Sequence, residues 1–271
     1  MSTLIPAHGS EPSSGRQLKI TVQDLDYRRG TGGETRPLLG PVSFEVQGGE
    51  FLAVVGPPGS GKTVLLKLLA GTLHPSGGTI LIEGGEYRPP VRDFGLVLDS
   101  PALLPWRTTM QNILLQAEIR GLQMEVCRNR ARRLLAWFGL SGLEDRRPHE
   151  LPPGAGQGIS ICRALVHAPS LLLMDQPFRM LESLILERML DAFQRLWVET
   201  RSTAILCTSN LEEAVLLGDR VVVLSPRPGR ILQIVSIELP RPRRLDRTMT
   251  PLIVDYCNTI RTFFRAQGVL P

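Results

Sequence analysis

The chain has 271 residues, 42% of them hydrophobic, which is enough for one large α/β domain or a domain with an inserted lobe. Its cysteines, Cys127, Cys162, Cys207 and Cys257, form no CxxC pair, so neither a disulfide framework nor a zinc site is indicated, and a reducing cytoplasm is expected. The net charge of +5 comes without aromatic residues interleaved among the arginine patches, which favours a solvated or membrane-adjacent surface over nucleic-acid binding.

The first residues are rich in Pro, Ser and Gly, so residues 1–16 are predicted to form a disordered tail. They lack the apolar core of a signal peptide, and no apolar run in the chain approaches the roughly 18 residues that a spanning helix requires. We therefore expect a soluble chain.

Short β-type runs follow the tail and suggest an antiparallel sheet region early in the chain. These runs are Leu18 to Val22, Val42 to Val46, Phe51 to Val55 and Thr79 to Glu83.

From about residue 109 to residue 140 the apolar period becomes helical, which predicts a helical lobe. One apolar stripe contains Met110, Ile113, Leu114 and Ala117, and a second contains Val126, Leu134, Leu135 and Phe138.

The second half of the chain contains three compact apolar runs of the kind that is buried on both faces of a parallel sheet. These are Leu171 to Met174, Ala204 to Cys207 and Val221 to Leu224. The first two are separated by an amphipathic helix, so we expect a strand, helix, strand unit with right-handed crossover. Residues from about 240 are rich in Arg and Pro, and a helix is expected near residues 251–266.

The most specific motif is a glycine-rich loop that matches GxxxxGK[ST] directly after an apolar strand. It consists of Gly56, Pro57, Pro58, Gly59, Ser60, Gly61, Lys62 and Thr63. Such a loop curls its backbone N–H groups around a polyphosphate, and the helix predicted after it points its positive end at the same charge. Lys62 is expected to reach the terminal phosphates of a nucleotide, and Thr63 is expected to bind Mg²⁺.

A second apolar strand ends in a carboxylate, Asp175, an arrangement that holds Mg²⁺ beside a phosphate-binding loop. The two motifs together predict a nucleotide-binding site for ATP with Mg²⁺.

From about residue 18 to residue 235 the chain resembles the nucleotide-binding domain of ATP-binding-cassette (ABC) transporters. Residues 149–154 occupy the place of the family's LSGGQ signature, and residues 175–178, Asp-Gln-Pro-Phe, resemble its D-E-P-F segment. Residues 103–106 and 225–231 are similar to the branch that energises uptake of nitrate, sulfonates and taurine.

The resemblance implies a P-loop NTPase fold with a mostly parallel core sheet, an N-terminal antiparallel β subdomain and an inserted helical subdomain. The nucleotide-binding domain is then expected over residues 17–237, with the helical lobe at about 100–160 and a C-terminal extension at 238–271. Tyr27 stands where the family stacks an aromatic ring on adenine, although a lone Tyr there is equally consistent with the core.

The resemblance also implies partners and a location. Family members dock on an integral-membrane permease at the cytoplasmic face of the membrane, and they pair head to tail with a second ATPase chain. The sequence leaves open whether this chain forms a homodimer or a heterodimer, and no nucleic-acid partner is expected.

Five residues in four motifs depart from the family pattern. Gln176 replaces the Glu that polarises the attacking water, and Ser209 replaces the His that contacts the γ-phosphate. Asp99 stands where the family has a Gln that senses Mg²⁺; its carboxylate is a possible metal ligand. In the signature, Pro152 and Pro153 precede Gly154 and replace a Ser and a Gly that donate to the nucleotide of the opposite subunit.

These departures beside an unaltered phosphate loop favour a chain that binds ATP but hydrolyses it weakly. General-base assistance is worth about 10² to 10⁴ in rate, and an amide cannot supply it. Two other interpretations stay open: an ordinary importer ATPase in which other groups supply the missing chemistry, and a catalytically silent, ATP-binding regulatory or scaffold pseudoenzyme without a transport role.

Overall fold

The computed structural model describes residues 18–31, 34–86, 93–179, 181–245 and 248–268. The predicted disordered tail at residues 1–16 lies outside these ranges. In chain order the elements are β1 (Ile20–Thr31), β2 (Glu34–Val46), β3 (Phe51–Val55), α1 (Lys62–Leu69), β4 (Gly77–Ile82), β5 (Gly85–Glu86), β6 (Phe94–Val97), α2 (Thr109–Arg120), α3 (Met124–Trp137), a short 3-10 helix (Pro148–Glu150), α4 (Ala155–Leu165), β7 (Leu171–Asp175), α5 (Ser183–Thr200), β8 (Thr203–Thr208), α6 (Leu211–Leu217), β9 (Arg220–Leu224), β10 (Ile231–Ser236) and α7 (Met249–Ala266).

The strands form two sheets. The first is antiparallel, with strand order β2-β1-β4-β5, and contains three of the four early β-type runs. The second has the order β10-β9-β3-β8-β7-β6 and is parallel except for β10, which pairs antiparallel with β9. The predicted fold class, a mostly parallel core sheet with an antiparallel β subdomain and a helical subdomain, is confirmed.

The prediction that the run Phe51 to Val55 belongs to the antiparallel sheet region is wrong. Residues 51–55, which form β3, lie at the centre of the parallel sheet, between β8 and β9, and not in the antiparallel sheet. The physical reason is that all five side chains are buried, so the strand needs a cover on both faces. Strand β3 therefore leads the chain from the core directly into the glycine-rich loop.

The predicted helical lobe consists of α2 and α3, packed with α4. Helix α2 begins at a capping box in which Thr108 accepts a hydrogen bond from the Gln111 N–H, and Gly121 ends it in the left-handed conformation. The first predicted stripe is buried, but in the second stripe Val126 is exposed and Cys127 is buried in its place. Cys127 and Ala131 lie at helical spacing with Leu134, Leu135 and Phe138, which are buried as predicted, so only Val126 falls off the inward face.

Helix α5 joins β7 to β8, which pair in parallel as expected. Its inward aromatic residues close the core against β3: Phe51 makes edge contacts with Phe193 and Trp197 at centroid distances of 6.1 and 5.6 Å. The strand that precedes the glycine-rich loop is therefore held at its start by the middle of α5.

Residues after β10 pack back on the core. Arg243 is 2% exposed, and its guanidinium donates to the carbonyl oxygens of Val215, Gly218 and Ile237. Arg241 lies 4.4 Å from the centroid of the Trp197 ring. The segment that links β10 to α7 is therefore fastened to α5 and to the end of α6. Within the described residues, no helix has the length and apolarity needed to cross a bilayer.

Candidate nucleotide site

The glycine-rich loop forms a compact turn between β3 and α1. Gly59 and Gly61 have φ angles of 81° and 89°, in the left-handed region that favours glycine. A Cβ on Gly61 would lie 2.8 Å from the Leu38 carbonyl oxygen, so the loop also needs glycine there for space. Pro58 and Gly59 are exposed at the rim, whereas Gly56 and Ser60 are buried at its base.

Lys62 folds back into this loop. Its Nζ donates to the carbonyl oxygens of Gly56 and Pro57, at 2.6 and 3.0 Å, and to Ser60 Oγ at 3.3 Å. Burial lowers the pKa of the lysine, because few water molecules reach its ammonium group. A cation held at the mouth of a helix N-terminus is well placed to exchange these carbonyl contacts for phosphate oxygens.

The segment at residues 225–231 supports the loop from outside, a contact that the sequence pattern did not reveal. The Gly40 N–H donates to the Gly229 carbonyl oxygen at 2.8 Å. A Cβ added to Gly229 would lie 1.8 Å from the Ser60 carbonyl oxygen, so only glycine fits against the loop at this position. This segment carried the resemblance to the nitrate, sulfonate and taurine branch, and its place in the fold gives it a structural role.

Asp175 ends β7 beside the first turn of α1. It is 6% exposed, and its Oδ1 atom is buried without a hydrogen-bond partner among the described residues. Burial raises its pKa, and the exposed carboxylate of Asp99 adds to the rise, while a hydrogen bond with the Thr63 side chain and the charge of Lys62 oppose it. The structure therefore brings together the predicted loop, Thr63 and Asp175.

The donor set fits Mg²⁺ bound to a nucleotide. A carboxylate oxygen without a partner and a threonine hydroxyl are the hard oxygen ligands that Mg²⁺ uses, with phosphate oxygens and water completing its shell. Among the described residues, no group of three or more His, Cys, Asp or Glu side chains could hold a metal by itself. A metal here would consequently depend on the nucleotide, as in phosphoryl-transfer sites.

Gln176 follows Asp175 and turns away from the sheet. Its φ is 45°, in the left-handed region, and its N–H donates to the Cys207 carbonyl oxygen at 2.8 Å. The backbone at this position is thus fixed between two strands, and the side chain is half-buried. That this neutral amide replaces a catalytic carboxylate stays a prediction.

Ser209 is exposed at the end of the next strand, β8. Val55 pairs with Thr208, and Asp175 pairs with Cys207, so Ser209 leaves the sheet between the phosphate loop and Gln176. The register thereby places the two predicted substitutions of catalytic groups on adjacent strand ends.

Sequence reasoning missed one group beside Ser209. Glu213, in α6, is 3% exposed, and its Oε2 accepts a hydrogen bond from Thr208 Oγ1 at 2.6 Å. Asn210 caps α6 by accepting from the N–H groups of Glu212 and Glu213. An Asn followed three residues later by a Glu, ahead of an apolar run, is a helix-start signature, and that signal was present in the sequence.

Asp99 lies on an exposed segment after β6 that is tied to the signature helix α4. Gln157 Nε2 donates to the Leu98 carbonyl oxygen at 2.9 Å. Arg163 donates to the carbonyl oxygens of Pro101 and Ala102, at 2.8 and 2.9 Å. A movement of α4 would therefore be transmitted to the segment that carries Asp99. Its role as a metal ligand stays a prediction.

The altered signature precedes α4. Pro152 and Pro153 are exposed, and Gly154 caps the helix in the left-handed conformation, with φ at 78°. The Pro152 carbonyl oxygen accepts from the Ala155 N–H at 3.2 Å, so the helix begins normally despite the two prolines. The changes remove hydrogen-bond donors from an exposed edge and leave the helix in place.

Tyr27 lies in β1 opposite Leu39. The ring is half-buried and packs on the core between the antiparallel sheet and α1. Stacking of its remaining surface on adenine stays a prediction.

Residues 39–179 match the family model described as ABC transporter. The chain is 37% identical over 232 residues to an uncharacterised ABC transporter ATP-binding protein of Methanocaldococcus jannaschii, with 86% of each chain covered. This chain belongs to the ABC transporter ATP-binding family. Relatives named as nitrate, taurine and aliphatic sulfonates import ATP-binding proteins place it in that branch of the family.

The taurine import ATP-binding protein of Pseudomonas syringae is 36% identical, with 77% of this chain and 80% of that protein covered. The aliphatic sulfonates import ATP-binding protein of Bacillus licheniformis is 33% identical, with 93% of this chain and 98% of that protein covered. Among solved structures, a dimeric bacterial ABC transporter cassette superposes with a TM-score of 0.73 at 25% identity, covering 82% of this chain and all of the other.

Proposed function

We propose that this ABC subunit binds Mg-ATP to drive uptake of a small anion, such as nitrate or a sulfonate, and that its own hydrolysis of ATP is slow. The observation that carries the proposal is the pairing of a complete phosphate loop with Gln176. Lys62 and Asp175 supply the charges that a nucleotide and its metal require. Beside them, an amide stands where a general base is needed.

Slow hydrolysis follows from the chemistry of the groups that face the terminal phosphate. Gln176 can orient a water molecule, but its amide cannot accept the proton. Ser209 can donate a hydrogen bond but carries no charge. Loss of general-base assistance alone corresponds to about 10² to 10⁴ in rate.

The partners are proposed from the resemblance and from exposed apolar residues on the helical lobe. Trp106 and Ile119 are 68% and 70% exposed, and Leu122 and Val126 are also exposed. We propose that this lobe contacts an integral-membrane permease and that the chain works as a peripheral subunit at the cytoplasmic face. The taurine and sulfonate relatives, which are named as import ATP-binding proteins, support this assignment.

The chain is proposed to pair head to tail with a second cassette, the arrangement that the family resemblance implies, and the dimeric structural neighbour supports the pairing. A homodimer would contain two sites that lack both the Glu and the signature donors. A heterodimer would place a partner's catalytic Glu opposite Pro152 and Pro153, so its second site would be weakened as well. In both arrangements, we expect this chain to bind ATP well and to hydrolyse it slowly.

Calorimetry with Mg-ATP tests the binding step directly. We expect saturable binding by the wild type and at least a tenfold weaker affinity for Lys62→Met, because the substitution keeps the aliphatic stem and removes the ammonium group. Lys67, which is exposed on the same helix, offers a matched control as Lys67→Met. Absence of ATP binding by the wild type, or equal affinities for wild type and Lys62→Met, would refute the proposal.

A second candidate is a catalytically silent regulatory or scaffold protein without a transport role. It is favoured by the same Gln176 and by the donors lost at Pro152 and Pro153. Purification from membranes distinguishes the two: a polytopic membrane protein that co-purifies with the tagged chain supports the transporter subunit, and its absence supports the scaffold. Rapid steady-state turnover by the wild type would instead indicate an ordinary importer ATPase.

A further inference from the structure

The loop that carries Ser209 is held by a network of hydrogen bonds. Thr208 Oγ1 donates to Glu213 Oε2 at 2.6 Å and accepts from the Asn210 N–H at 3.0 Å. The Asn210 side chain in turn accepts from the N–H of Glu213 at 3.4 Å. The residues on both sides of Ser209 are thus fastened to Glu213, Thr208 through the carboxylate and Asn210 through the backbone N–H.

Glu213 is an unusual group to find at this depth. It is 3% exposed, and none of the ion pairs between described residues includes it. Burial raises its pKa, the charge of the exposed Glu212 adds to the rise, and the hydrogen bonds from Thr208 and Asn210 oppose it. A buried carboxyl without a cation is unfavourable unless its hydrogen bonds are made. The role of Glu213 is therefore to hold Thr208 and Asn210 in place through these hydrogen bonds.

The sheet register shows where these two residues place Ser209. Thr208 lies opposite Val55, the residue before the phosphate loop, and Cys207 lies opposite Asp175 and accepts the Gln176 N–H. A loop fixed at Thr208 and Asn210 therefore has its middle residue, Ser209, at the strand end between Gly56 and Gln176. The Ser209 side chain itself is exposed on that edge.

We infer that Glu213 is a positioning residue that acts through Thr208 and Asn210 to aim the Ser209 hydroxyl at the terminal phosphate of bound ATP. The inference rests on the proposed function, since it requires ATP in the loop. It also predicts a property that binding alone does not: discrimination between ATP and ADP. ADP lacks the phosphate that Ser209 would contact, so only the affinity for ATP depends on the network.

The experiment compares the dissociation constants of Mg-ATP and Mg-ADP by calorimetry for the full chain and its variants. Glu213→Leu keeps the side-chain bulk and removes the acceptor, and we expect the preference for ATP over ADP to fall about three- to tenfold while the affinity for ADP stays unchanged. Glu213→Gln keeps an acceptor oxygen for Thr208 and is expected to preserve the preference. The matched control is Glu212→Leu, at an exposed position of the same helix turn, which should leave both constants unaltered.

A double-mutant cycle separates positioning from a general effect on the fold. Ser209→Ala should lower the ATP preference as far as Glu213→Leu does, and the double variant should lower it no further. Thr208→Val breaks the same connection without touching the carboxylate, and it carries the test if Glu213→Leu does not fold. An unchanged ATP preference in Thr208→Val or Glu213→Leu, or additive losses in the double variant, would overturn the inference. A wild type that binds no ATP would instead refute the proposed function.

Discussion

Replacement of Gln176 by Glu is the most direct test of why this site should be slow. The two side chains have the same shape, and the backbone is fixed by the hydrogen bond from the Gln176 N–H to Cys207 and by its left-handed φ of 45°. The new carboxylate should therefore occupy the place of the amide and not a new one. It would lie beside Asp175, at the end of β7, near a phosphate loop in which Lys62 is already in position.

The expected gain can be bounded from the groups around it. A general base contributes about 10² to 10⁴ in rate, equivalent to roughly 3 to 5 kcal/mol of barrier. Because Ser209 remains in place of a His, and Pro152 and Pro153 still lack the signature donors, the gain should lie at the lower limit, near 10². Phosphate release under saturating Mg-ATP measures it, with Gln176→Ala as the control for a change that adds no base.

Three results would refute this reasoning. Wild-type turnover of about 1 per second or faster, the lower end of typical enzyme turnover, would show that another group already activates the water. No gain in Gln176→Glu, with ATP affinity unchanged, would show that proton removal is not what limits the reaction. Gain in Gln176→Ala would point to a steric effect in place of base catalysis.

Three further predictions concern the support of the site. Asp175→Asn should raise the melting temperature of the protein without nucleotide. Burial raises the pKa of the Asp175 carboxyl, so the folded state loses stability as the pH rises through that pKa and the carboxyl ionises. The amide of Asn does not ionise and avoids this loss. The same variant should lose the additional stabilisation that Mg²⁺ gives with ATP, which differential scanning fluorimetry measures; an unchanged Mg²⁺ effect would exclude Asp175 as a ligand. Gly229→Ala should weaken Mg-ATP binding about tenfold, because the new Cβ would force the Ser60 carbonyl to move; Gly85→Ala, whose Cβ meets no atom closer than 3.6 Å, is the control in calorimetry. Arg243→Met should lower the free energy of unfolding by about 1 to 3 kcal/mol, since the buried carbonyls lose their charged donor, whereas exposed Arg244→Met should change it by less than about 0.5 kcal/mol in denaturant titrations.

The sequence was sufficient where the signal is local. The glycine-rich loop specifies its own turn, because Gly59 and Gly61 adopt backbone angles that other residues disfavour, and the strand before it and the helix after it follow from apolar periodicity. The strands that end at Asp175 and Thr208 were likewise recognisable as buried on both faces. The core of the site, including Lys62 and its loop, could therefore be located before the fold was known.

Contacts between distant segments were not readable in the same way. Gly229 lies far from Ser60 in the chain, and only the packing of the two loops shows why glycine is needed there. The sheet that β3 joins depends on which strands pair with it, and that pairing is set by partners about 150 residues further on. Glu213 looked like an ordinary charged residue of a short helix until the fold buried it beside Thr208.

The distribution of preserved and altered groups gives a physical reason to favour ATP binding over a purely structural role. Of the altered positions, Asp99, Pro152, Pro153 and Ser209 are exposed and Gln176 is half-buried, so substitution there changes stability less than it would in the core. Lys62 and Asp175 are 5% and 6% exposed, and burial lowers the pKa of the first and raises that of the second, which means that the fold disfavours both charges when no ligand is present. A scaffold that never met a nucleotide would be more stable with apolar residues at these two positions. Their presence is accounted for if a bound triphosphate and its metal restore the interactions that burial removes.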